Sequence, residues 1–299
     1  MAASLGRWFA ELRAAPGERE GRESIAALRV VRSGDVAEIV HGEGDALSSL
    51  SGDSVPVVRL ARNVYASLPT SAARVELLGI ARRAARDQVV VHVAISDESS
   101  HIGQLAIDVP RRAIRALGLR AAEPGDRVGS DRFAHCFFDE EEFLRELERA
   151  GLVLASRSGF TFTLRRGDPG ELRASAERAA RLTRELKRVA LVVREVDARR
   201  GAEPPERVLA AMRARGETAE RRGPIGRARL RRAIGWIDAF VPGGANCYRR
   251  VLLEIALDAG AARETVVLGL DVGSTGHIAF EGREERVFDV AFAIPATRP

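Results

Sequence analysis

Three side chains near the end of the chain have the types that nucleophilic catalysis needs: the thiol of Cys247, the imidazole of His277 and the carboxylate of Asp289. A thiol attacks as its thiolate, a histidine takes up and returns the proton, and an acid fixes the imidazole tautomer and offsets its charge. Cys247 follows the stretch Val241-Pro-Gly-Gly-Ala-Asn246. Pro-Gly-Gly breaks the preceding element and Asn246 is a good N-cap, so the spacing predicts that Cys247 opens a helix. Val251, Leu252, Ile255, Ala256 and Ala259 then recur at three and four, with Gly260 as a stop. On such a first turn the thiol faces unpaired N–H groups and the positive end of the helix dipole, which favour thiolate. A solitary cysteine is otherwise commonly a small buried hydrophobe, and its surroundings decide between the two.

The elements that must position the other two groups are three β-like runs, Thr265–Leu270, Gly276–Glu281 and Arg286–Ala293. Alternation puts His277 and Ala279 on one face of the second run and Ile278 and Phe280 on the other. In the third, Val287 and Asp289 oppose Phe288, Val290 and Phe292. Residues opposite each other in an antiparallel hairpin share a face, so His277 meets Asp289 only across a loop of odd length. Gly282-Arg283-Glu284 is such a loop, and the expectation is a hairpin that sets imidazole beside carboxylate.

At Asn246-Cys247, Gly276-His277 and Phe288-Asp289-Val290 the chain resembles the transglutaminase-like cysteine peptidases, and among them the branch that processes lasso-peptide precursors. The Arg-rich stretch from Arg227 to Asp238 matches that branch's helix before the nucleophile loop. The likeness covers about Leu172 to Pro295. It implies an α+β, papain-like domain over 171–299, a Cys247–His277–Asp289 triad and no cofactor. The implied substrate is the leader segment of a ribosomally made precursor peptide. The implied partners are a small leader-recognition protein and a cyclase that takes the product. Two stretches depart from the family: Leu257 to Glu264 replaces a more basic segment, and Ile278-Ala-Phe280 replaces an aromatic-rich strand.

The chain has 299 residues, enough for two domains, with 45% hydrophobic and 30% charged residues, the balance of a globular protein with an ordinary core. The net charge is +5, yet Lys187 is the only lysine and the arginines alternate with nearly as many acids. That pattern is a solvated helix face more than a nucleic-acid surface. Cys136 and Cys247 are the only cysteines and have neither disulfide-framework nor zinc spacing, which fits a reducing compartment. With no apolar run of about 20 residues and no signal-peptide order, a cytoplasmic protein without a membrane span is expected.

Residues 1–168 read as a separate α/β domain. Helix is expected through Arg32 with a break at Pro16-Gly17. Strands are expected at Val36–Val40, Val55–Leu60 and Gln88–Ile95, and helices at Ala72–Ala85 and Arg111–Leu119. Asp139 caps a helix that Gly151 closes, strands follow at Leu152–Ser156 and Thr161–Arg165, and Gly167-Asp-Pro-Gly170 links the domains. His135 and Cys136 are strand neighbours on opposite faces and read as structural. This order is similar to the later two-thirds of class I S-adenosylmethionine-dependent methyltransferases, where such a helix precedes a terminal hairpin. His41-Gly-Glu-Gly-Asp45 lacks the family's third glycine and reads as a turn. The domain is thus expected to be degenerate or truncated. Two further readings stay open: a methyltransferase using S-adenosylmethionine with an accessory C-terminal domain, and a non-catalytic scaffold in peptide natural-product biosynthesis.

Overall fold

The computed structural model describes residues 18–42, 50, 54–93, 127–128, 135–136, 140–168, 170–172, 182–241, 246–270, 276–282 and 289–295. The chain divides into two compact units, Met1–Leu172 and Arg173–Pro299. Both mix helices with sheet.

The first described elements of the first unit are α1 (Glu18–Ala26), β1 (Leu28–Ser33) and β2 (Val36–His41). The helix expected through Arg32 ends six residues earlier. Val30 and Val31 favour extended backbone and pair antiparallel with Ile39 and Glu38 across a tight turn. That turn needs the left-handed Gly34, at φ 56°. There follow β3 (Val55–Leu60), the short α2 (Val64–Ser67), α3 (Ser71–Ala84) and β4 (Ala85–His92). Thr70 caps α3 by accepting from the Ala73 N–H at 3.1 Å. The pairs Arg127↔Cys136 and Val128↔His135 join the two-residue strands β5 and β6. Then come α4 (Glu140–Arg149), β7 (Leu152–Ser158) and β8 (Thr161–Arg166).

The sheet runs β1-β2-β3-β4-β8-β7. β2, β3 and β4 are parallel, while β1, β8 and β7 pair antiparallel, so the expected parallel layer is part of a mixed sheet. Ile39, Val58, Leu60, Val89, Val91, Phe162 and Leu164 from the strands are buried, as are Leu77 and Leu78 of α3 and Phe143 and Leu147 of α4. The turn at Gly44, the helix at Arg111–Leu119, the cap at Asp139 and the break at Pro16 lie outside the described residues.

Among the described residues the second unit has four α-helices and a small sheet: α5 (Leu182–Ala202), α6 (Pro205–Glu217), α7 (Pro224–Phe240), α8 (Cys247–Leu257), β9 (Val266–Leu270), β10 (Gly276–Phe280) and β11 (Asp289–Ile294). Pro204-Pro205 separates α5 from α6, with Pro205 on the first turn where its missing N–H is harmless. α8 is the central element. Arg249 and every residue from Val251 to Ala256 are buried, which an amphipathic surface helix would not show. Its neighbours α5, α6, α7 and β10 contribute Val189, Val196, Val208, Met212, Leu230, Ile234, Ile278 and Phe280 to one core. Among the described residues no helix is long and apolar enough to cross a membrane.

Candidate active site

Cys247 is the first residue of α8 and is half-buried. Asn246 precedes it in extended conformation, at φ −140° and ψ 113°, and its side-chain oxygen accepts the Arg249 N–H at 3.0 Å. This is the expected N-cap. The helix does not run to Gly260; it stops at Leu257, and Asp258 turns extended before a short 3-10 turn at Ala261–Arg263. The Cys247 and Tyr248 N–H groups have no acceptor among the described residues. They are the donors that a helix start offers to an anion.

A buried carboxylate that the sequence reading passed over holds this helix start. Asp238, on the last turn of α7, is fully buried. It accepts the Asn246 N–H at 3.0 Å, Arg249 Nη1 at 2.7 Å and Arg250 Nε at 2.6 Å. Arg249 also donates through Nε to Asp197 of α5 at 2.7 Å, and Arg200 reaches the same Asp197 oxygen at 2.9 Å. Three helices thus meet at the residue pair that begins α8. An aspartate between the aromatics Trp236 and Phe240 on a helix with an apolar stripe was the available signal. Phe240 itself is 74% exposed.

A second ionic cluster anchors the far end of α8. Arg227 donates to Glu254 at 2.6 Å and pairs with Glu264, and Arg231 also reaches Glu254 at 3.2 Å. Asp258 is fully buried and accepts the Arg222 and Gly260 backbone N–H groups, both at 3.1 Å. These contacts fix both ends of the helix. Among the described residues no group of three or more His, Cys, Asp or Glu side chains has metal-binding spacing.

The two remaining candidates lie in the small sheet, whose order is β10-β9-β11. The expected hairpin of β10 on β11 does not form: both strands pair antiparallel with β9, one on each side. His277 is opposite Gly269, in the row that continues to Val290. Asp289 is opposite Leu270, in the row of Gly276, one row away. Ile278, Phe280 and Val266 share the core of α8, and strand alternation therefore puts half-buried His277, with Ala279, on the opposite face of β10. The structure brings the helix of Cys247 against the strand of His277. It does not bring the His277 face of that strand to the helix.

Comparison of the chain with protein-family profiles, with curated proteins and with solved structures gives no match.

Proposed function

We propose that the second unit is a cysteine peptidase with Cys247 as nucleophile. The observation that carries this reading is the start of α8. A half-buried thiol sits on the first turn of a capped helix, beside two backbone donors without acceptors among the described residues, on a junction pinned by a buried carboxylate. In the proposed reaction the Cys247 thiolate adds to a peptide carbonyl and forms the C–S bond. The Cys247 N–H donates to the resulting oxyanion, and His277, as imidazolium, gives its proton to the departing amine as the C–N bond breaks. Water then attacks the thioester, His277 takes its proton, and the thiolate is released. Asp289 is assigned the orienting of His277.

This assignment requires the His277 ring to swing around the margin of β10. Among the described residues that strand is an edge of the sheet, and Gly276 beside the histidine is exposed. Catalytic hydrogen bonds commonly close only with substrate bound. By the family likeness, the substrate is the leader segment of a ribosomally made precursor, presented by a small leader-recognition protein, with a cyclase taking the product.

A quenched-fluorescent peptide library tests the reaction. Cleavage by wild type should fall at least about 1,000-fold in Cys247→Ala and about 100-fold or more in His277→Ala. Equal cleavage by wild type and Cys247→Ala ends the peptidase reading.

One observation favours a second reading, a non-catalytic scaffold: His277 is on the sheet face turned from α8. A His277→Ala variant as active as wild type, or a wild type that cuts nothing, is what a scaffold would give. For the first unit, three parallel strands followed by an antiparallel pair support its likeness to the later part of a class I methyltransferase. Against cofactor binding at the glycine closing β2, the exposed Arg29 side chain lies 2.7 Å from where a Cβ on Gly42 would be. Contact with a partner protein is the role assigned to this unit.

A further inference from the structure

Of the charged groups in the second unit, Asp238 is placed to act on Cys247 without touching a substrate. Its carboxylate is fully buried, and among the described residues its three donors come from Asn246, Arg249 and Arg250, the residues on either side of Cys247 and Tyr248. By occupying the Asn246 N–H it leaves the next two N–H groups as the donors at the helix start. By facing Arg249 and Arg250 it sets one negative charge against the two positive charges on the first turn. Asp197 and Arg200 of α5 add one charge of each sign through Arg249.

We propose that Asp238 is a positioning residue for Cys247: it fixes the start of α8 and sets the balance of charge that the thiol meets. The proposal rests on the reading of Cys247 as a nucleophile for its use, but the thiol's reactivity can be measured without any peptide. From Asn246 N, at most six covalent bonds lead to the Cys247 sulfur. The carboxylate is thus within about 10 Å of it, a range over which one buried charge changes the thiolate population several-fold.

The full-length protein is treated with iodoacetamide at pH 7, and alkylation of Cys247 and Cys136 is followed separately by peptide mass spectrometry. Asp238→Asn keeps the side chain's shape and an acceptor for the Asn246 N–H while removing its charge. Alkylation of Cys247 should then speed up about threefold or more, because one negative charge facing Arg249 and Arg250 is gone. Arg250→Gln removes one positive charge from the more accessible of the two arginines and should slow it by a similar factor, about threefold. Cys136, in the other unit, should keep its wild-type rate in both. If Asp238→Asn does not fold, Arg250→Gln alone decides. Cys247 rates within about 1.5-fold of wild type in the folded variants overturn the proposal, as do changes of the same sign in both. Opposed changes in a protein that cuts no peptide leave Asp238 its role and end the peptidase reading. Cleavage through Cys247 with unmoved alkylation rates does the reverse.

Discussion

Buried charge is what single residues contribute most distinctively to this chain. In the first unit Arg74 and Glu146, both fully or almost fully buried, form a bidentate pair with both N···O distances at 2.9 Å, and Tyr65 donates its hydroxyl to the same carboxylate. The third arm of Arg74 donates to the Leu68 carbonyl at 2.9 Å. Burial, and then the neighbouring Glu146 charge, pushes the Tyr65 phenol well above its ordinary 10.0, against the opposing pull of Arg74. Tyr248, half-buried in the second unit, is raised by burial too. A group with a raised folded value contributes stability that is complete below the unfolded value of about 10 and is lost as the pH climbs through the folded one. An absorbance titration at 295 nm reads both tyrosines, the only two in the chain. Tyr248 should ionise first and reversibly. Tyr65 should ionise only together with loss of helical circular dichroism, and a Tyr65 signal near pH 10 in folded protein would contradict its burial.

Among the elements, α8 is the one whose surroundings leave least room. Gly216, on the last turn of α6, sits so near it that a Cβ would lie 1.9 Å from the Ile255 carbonyl oxygen. The atom in the way is backbone, which cannot rotate aside. Gly216→Ala should therefore destabilise the second unit by about 3 kcal/mol, measurable by urea unfolding, although alanine is the better helix former. A neutral result would mean that α6 and α8 can part without loss. Arg213, four residues from the end of α6, explains how the sheet is fastened. It is buried and donates to the carbonyls of Glu264, Ile294 and Pro295, which ties the start of β9 to the end of β11. The start of α8 was legible in the sequence because capping and a break are local: Pro-Gly-Gly, then Asn246, then an apolar spacing. The three strands were legible for the same reason, each within three residues of its observed bounds. Their order was not. Which strand pairs with which is set by packing on α8 and by the Arg213 contacts, and a hairpin loop of suitable length could not outweigh them. β1 was hidden in an alanine- and arginine-rich stretch whose pairing with β2 is the deciding contact. Asp238 was hidden because a carboxylate's three donors arrive from eight to twelve residues on, across a loop.

For the whole molecule, the division into two units has a thermodynamic consequence. Each has its own apolar core: one centred on Phe143, Phe162 and Leu77, the other on Leu252, Ile255 and Ile234. Each also has its own buried ionic cluster, Arg74–Glu146 in the first and Arg249–Asp238 in the second. A core and its paired charges unfold together, because exposing the apolar contacts also frees the ions that were costly to bury alone. Calorimetry of the full chain should accordingly resolve two transitions. Glu146→Gln leaves Arg74 buried opposite a neutral amide and should weaken the first unit by about 3 kcal/mol, lowering one transition by about 6 °C or more. Gly216→Ala should lower the other and leave the first in place. The pair of variants also bears on function: a peptidase housed in the second unit should keep its thermal inactivation profile in Glu146→Gln and lose it in Gly216→Ala. A single transition moved equally by both substitutions would mean that the two cores unfold as one, and that the site at Cys247 depends on both for its stability.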